Sequence, residues 1–158
     1  MSEPIHDIVV RTIAATRFPF PGQTTWPEGY VTNTNVPTRT ISIETPVGTH
    51  FPDIVITDKT GVIREMGEVE MNISENEVPY LTAGSALTDN DTPTQVKHFF
   101  VYVPAGHEKR AQKLLDDNGI SYAGVRGFTI GEKGEVSIVP YVTAGDQYDH
   151  QVTPPQII

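Results

Sequence analysis

Cysteine is absent from the 158-residue chain. That excludes a disulfide framework, a thiolate nucleophile and a cysteine-bound zinc, and it favours a cytoplasmic location. Long apolar runs are also absent. None approaches the roughly 18 residues of a membrane span, so no membrane partner is expected. The opening MSEPIHDIVV lacks the basic and apolar regions of a signal peptide, and none is expected. Basic residues are scarce, with 11 Lys and Arg against 20 Asp and Glu and a net charge of −9. A whole-surface electrostatic grip on nucleic acid is therefore disfavoured; a polyanion would need a local basic surface or bridging metal ions. No GxGxxG, GxxxxGK[ST] or GxSxG occurs, which leaves nucleotide-binding loops and a hydrolase elbow without support. The histidines at 6, 50, 98, 107 and 150 show no HxH or HxxxH spacing, which argues against zinc.

What is present is ordinary for a globular chain: 37% hydrophobic and 20% charged residues. The length suits one domain, taken as residues 1–144, with 145–158 expected to be a poorly ordered tail. Thirteen Gly and thirteen Pro point to many turns rather than a helical bundle. Apolar residues at 5, 8, 9 and 13 predict a helix over Ile5–Ala15. Phe18–Pro37 holds four prolines and reads as an irregular excursion. Its Phe18, Phe20, Trp26 and Tyr30 suit pinning that loop to the body, with ligand stacking or an interface as the sharper alternatives.

Strand signals follow. Thr40–Thr45 alternates, and Asp53–Thr57 and Val62–Met71 flank Asp58-Lys59-Thr60-Gly61 as a hairpin. Ser74 and Glu77 form a capping-box pattern for a short helix before Leu87, limited by Pro79, and Ala83–Gln95 reads as a loop. His98–Val103 is a strand and His107–Asn118 a helix stopped by Gly119; Ile120–Thr129 is a second strand, giving a βαβ unit. Glu135–Val142 is a last strand that Pro140 assigns to an edge. The fold class is α/β: a mixed sheet with an antiparallel hairpin, a βαβ crossover and helices on both faces.

The chemistry concentrates in Asp53, Glu68 and Glu70. Glu68 and Glu70, two apart on a strand, point to one face. An even link centred between Lys59 and Thr60 pairs Thr57 with Val62 and Asp53 with Met66. Asp53 then joins the same face, diagonal to Glu68 at roughly 7–8 Å. An odd link would separate them. Three carboxylates between Ile and Val positions raise one another's pKa, and a divalent cation relieves that; hard oxygen donors suit Mg²⁺ or Mn²⁺.

Pro52-Asp53 followed by Glu68-Val69-Glu70 resembles the PD-(D/E)xK motif of the restriction-endonuclease-like nuclease superfamily. HFFVYVP…AQKLLDDNGI…GV is similar to the strand–helix–strand that follows it, so the resemblance spans roughly residues 5–142. It implies a helix, a β-meander carrying the motif, then a crossover helix and further strands. It also implies metal-dependent phosphodiester hydrolysis of nucleic acid, with DNA the expected partner. Asp53, Glu68 and Glu70 become both catalytic residues and ligands to Mg²⁺ or Mn²⁺. The motif lysine is replaced by Glu70, a general base or second ligand in this reading; Lys97 is the candidate to supply the lysine from elsewhere. Glu3 or Asp7 on the first helix would complete the acids. A nuclease-like binding or scaffold protein without catalysis is the alternative, and a homodimer stays open. Arg11, Arg17, Arg39, Lys59 and Arg64 offer a local basic surface, whereas Glu44, Glu65, Lys109, Arg110 and Lys113 are expected on solvated faces and His50 in a surface loop.

Overall fold

The computed structural model of the chain describes residues 4–24, 26–91 and 96–143. The tail expected at 145–158 and Glu3 lie outside them. Helix α1 spans Ile5–Arg17 and buries Val9, Val10, Ile13, Ala14 and Arg17 along one stripe. It runs two residues beyond the expected end, because Arg17 is itself drawn into the interior and only 1% exposed. Four strands follow: β1 (Val31–Thr34), the small hairpin β2 (Ile43–Thr45) and β3 (Gly48–His50), and β4 (Ile54–Thr57). β5 (Ile63–Val69) precedes a 3-10 turn at Glu75–Glu77 and helix α2 (Val78–Leu87). The short pair β6 (Asn90–Asp91) and β7 (Val96–Lys97) leads to β8 (Phe99–Pro104), α3 (Glu108–Asp117), β9 (Gly124–Ile130) and β10 (Val136–Thr143).

Among the described residues one six-stranded sheet runs in the order β1-β4-β5-β8-β9-β10. β1, β4 and β5 form an antiparallel meander, while β5–β8 and β8–β9 are parallel. Those parallel pairs are joined through α2 and α3, the crossover geometry that parallel strands require. Alternate side chains sort the core into two layers. Ile54, Ile56, Phe100, Tyr102 and Phe128 pack with α1; Met66, Phe99, Val101, Val103 and Val125 pack with Leu81 of α2 and Ala111, Leu114 and Leu115 of α3. The protein is thus a mixed α/β domain with helices on both faces. Pro140 sits on edge strand β10, at a bulge between Pro140 and Val142.

Several local expectations are corrected. The proline-rich segment is not wholly irregular: Val31–Thr34 is an edge strand paired with β4, an exposed position where flanking prolines break no ladder. Trp26 and Tyr30 meet edge-on at 5.5 Å and lie against the α1-side core, so these aromatics pin the segment to the body. Thr40–Thr45 contributes only the three residues of β2, which turn into β3. Ser74 caps the 3-10 turn, accepting the Asn76 N–H at 3.3 Å, and Pro79 fits the first turn of α2. α2 therefore absorbs the first part of the expected loop. Glu65 is buried rather than solvated, opposite Ile56 and 3.5 Å from His98.

The hairpin register differs in a way that matters. Thr57 pairs with Ile63, not Val62. The link is the odd one, Lys59-Thr60-Gly61, with Gly61 at φ 87°, a conformation that glycine tolerates best. Asp58 anchors it, accepting from the Thr60 hydroxyl and the Thr60 and Val62 N–H groups. These bonds, the Thr60 hydroxyl's above all, hold its carboxyl well below the ordinary range. An odd link alone would put Asp53 and Glu68 on opposite faces. A bulge then restores the parity: Ile56 pairs with Glu65, leaving Arg64 as the extra residue. Val55 meets Met66 and Ile54 meets Gly67. Asp53 therefore stands level with Glu68 rather than Met66, two residues from the expected register and on the expected face.

Candidate active site

Asp53 and Glu68 clasp one another at the end of the β4–β5 hairpin. The Asp53 N–H donates to Glu68 Oε1 at 3.0 Å, and the Val69 N–H donates to Asp53 Oδ2 at 2.8 Å. Each carboxylate is thus held by backbone of the facing strand, which removes most of its rotational freedom. Pro52 and Asp53 are placed from below by Asn35, whose amide donates to the Pro52 and Ile41 carbonyls while its oxygen accepts the Thr40 and Ile41 N–H groups.

Two histidines complete the network. His50, at the end of β3, sits with Nε2 2.7 Å from Glu68 Oε2, and its ring stacks on Tyr80 of α2 at 4.7 Å. His6, in the first turn of α1, places Nε2 3.1 Å from Asp53 Oδ1 and Nδ1 3.0 Å from Asp7 Oδ1. With a carboxylate at each nitrogen His6 is an imidazolium, its pKa raised to about 9 chiefly by the hydrogen bond to Asp53. His50 moves the other way, lowered by burial. Glu68, 1% exposed, is raised well above the carboxylate range, first by burial and then by the Asp53 charge. Both directions favour an uncharged His50–Glu68 pair in the absence of a cation. Glu70 is raised to about 9 by burial, then by the fields of Glu68, Glu77 and Asp53.

Asp53 opens onto a cleft of about 580 Å³ whose walls include His6, Arg39, His50, Phe51, Glu77 and Tyr80, and Glu68 is buried behind it. Asp53 and Glu68 are joined directly, Glu70 lies within reach of their charges, and Asp7 is linked to Asp53 through His6. Lys97 is not brought to them. It lies beside His98, whose carbonyl bonds the Met66 N–H, so it is at the opposite end of β5 from Glu70, and its amine donates to the Thr88 carbonyl at 3.1 Å. His50 is a cleft residue rather than a plain loop residue, because β3 turns back directly into Pro52-Asp53. His6, Asn35 and Tyr80 carried no sequence signal for the site, since the residues they reach there, Asp53, Pro52 and His50, lie 47, 17 and 30 positions away. The candidate basic surface is dispersed: Arg17 is buried, Arg64 bonds Asp58 and Asp89, and Arg39 lies 5.0 Å over the Phe51 ring at the cleft.

Among the described residues no three His, Asp or Glu side chains are gathered as a ready cation cage. The donor set nevertheless suits a hard cation through fewer ligands. Mg²⁺ usually takes one or two carboxylates and keeps several waters, and Asp53 with Glu68 is such a pair, provided that His6 yields Asp53 Oδ1. No helix of the described residues is long and apolar enough to cross a membrane. Compared with known protein families, curated proteins and solved structures, the chain matches none.

Proposed function

We propose that this protein is a divalent-cation-dependent phosphodiesterase of the PD-(D/E)xK nuclease type, acting on nucleic acid in the cleft. The observation that carries the reading is the interlocked Asp53–Glu68 pair, whose Asp53 lines the cleft, with Glu70 just past the end of β5. The order of helix, motif-bearing meander, crossover helix and parallel strand supports it as well. Asp53 and Glu68 are the residues that would hold Mg²⁺ or Mn²⁺. The cation, when bound, offsets charge on the phosphoryl oxygens. Glu70, ionised once a bound cation offsets the neighbouring acids, would take a proton from the attacking water at a side-chain oxygen. His6 neutralises Asp53 before substrate arrives and would turn from Asp53 Oδ1 to present its charge to a phosphate oxygen. The backbone clasp keeps both carboxylates from swinging while this happens.

The test is cleavage of labelled oligonucleotides in Mg²⁺ or Mn²⁺ by the wild type, Asp53→Ala and Glu68→Ala, with circular dichroism as a folding control. Loss of cleavage in both folded variants is expected. Wild-type rates in both would overturn the reading. The second reading, a nuclease-like binding protein without catalysis, is favoured by Glu70 in the lysine position and by Lys97 bonded at the far end of β5. It predicts nucleic-acid binding with no cleavage in either cation.

A further inference from the structure

We propose that the cleft receives an unpaired nucleotide whose base stacks on the wall built by His50, Phe51, Arg39 and Tyr80, so that the substrate is single-stranded rather than duplex nucleic acid. The inference rests on the nuclease reading for the ligand being nucleic acid. It takes the strandedness from the wall itself.

The wall carries the rings of His50, Phe51 and Tyr80 among polar groups. Tyr80 and His50 lie 4.7 Å apart with their planes 29° from parallel. The Arg39 guanidinium sits 5.0 Å over the Phe51 ring. His50 and Phe51 are consecutive and run straight into Pro52-Asp53, so a base on this wall carries its phosphate toward the acids. A cleft of about 580 Å³ falls in the range that takes a small organic group. Stacking on aromatic side chains and arginine is the means by which single strands are held, because an unpaired base exposes both π faces.

Charge points the same way. Duplex binding draws its affinity from Lys and Arg contacts to phosphates spaced closely along both strands. Among the residues lining the cleft, Arg39 and His6 are cationic, while Asp7, Asp53 and Glu77 are acidic. The chain as a whole carries −9. A duplex thus finds repulsion along most of its length, whereas one unpaired nucleotide needs only the local pair of cations and the stacking wall.

The experiment measures fluorescence anisotropy of the full chain with a labelled mixed-sequence single strand and with the same sequence as a blunt hairpin duplex, in Ca²⁺. The probes are then exchanged for Mg²⁺ to follow cleavage. Single-strand binding at least tenfold tighter than duplex binding is expected. Phe51→Ala and Tyr80→Ala should each weaken it about fivefold or more, the scale of one lost base stack. Phe51→Trp should keep it, which a merely structural role for Phe51 would not predict. Phe51→Leu serves if the alanine variant unfolds. Equal binding of the two probes, or unchanged single-strand affinity in the folded variants, overturns the inference even if both probes are cleaved. Selective single-strand binding without Mg²⁺-dependent cleavage upholds it while overturning the enzymatic reading.

Discussion

Glu70→Gln replaces a carboxyl that the folded site keeps protonated, and its effect should grow with pH. Glu70 has its pKa raised from 4.5 to about 9, mainly by burial. The folded protein therefore retains a proton that the unfolded chain releases above pH 4.5. A protein whose native state binds the extra proton loses stability as pH rises, here from about 4.5 until the native carboxyl itself ionises near 9. At pH 8 the penalty has an upper bound of about 5 kcal/mol at 1.36 kcal/mol per unit. Water entry and side-chain relaxation at the open cleft reduce it to about 2 kcal/mol. Glutamine mimics the protonated acid and escapes the penalty. Urea unfolding in EDTA should show Glu70→Gln equal to wild type at pH 4.5 and more stable by about 2 kcal/mol at pH 8. Mg²⁺, which favours ionised carboxylates, should narrow the gap by stabilising the wild type more. A pH-independent difference, or a variant no more stable than wild type at pH 8, would refute the argument that Glu70 is a strained, buried acid.

Other perturbations separate the remaining contacts. His6 is raised from 6.5 to about 9, so its pairing with Asp53 stabilises fully below pH 6.5 and is lost as pH climbs through 9; His6→Ala should lower stability by about 1–2 kcal/mol at pH 6 and by nothing resolvable at pH 10. The same variant frees Asp53 Oδ1, and titration calorimetry with Mn²⁺ should show affinity at least equal to wild type. Asn35→Ala strips partners from the buried Pro52 carbonyl, the half-buried Ile41 carbonyl and the Thr40 and Ile41 N–H groups; a loss of about 2 kcal/mol in urea unfolding is expected. Gly84→Ala places a methyl group 2.8 Å from Met66 Sδ and 2.9 Å from Phe99 Cε1. Overpacking by about 1–3 kcal/mol outweighs the gain in helix propensity of about 1 kcal/mol, so the melting temperature should fall.

Period-2 alternation and turn chemistry made the hairpin, the βαβ unit and the edge position of Pro140 legible, because each rests on contacts between residues close in the chain. The shared face of Asp53 and Glu68 was legible as well, although through a register that the structure corrects. Glycine punctuation marked the link but did not reveal its three-residue geometry, and nothing in Glu65-Met66 or Ile56-Thr57 announced the bulge at Arg64. Two one-residue changes cancelled, and the face survived because side-chain direction depends only on parity. Lys97 shows the limit of proximity along the chain. It precedes a strand adjacent to the motif, yet parallel pairing of β5 and β8 sets it at the wrong end.

The sequence by itself determined an acidic, cysteine-free α/β chain with three carboxylates aimed at one side of a hairpin, since composition and strand periodicity are local properties. Only the tertiary structure decided that Glu68 is buried, that Asp53 and Glu68 are interlocked through backbone N–H groups, and that they are met by His6 from the first helix and His50 from a separate hairpin. Those partners lie 47 and 18 positions away from the residues they touch, and no local pattern encodes such distances. Burial and neighbouring charge, which shift the proton affinities on which the chemistry depends, exist only once the chain has closed on itself.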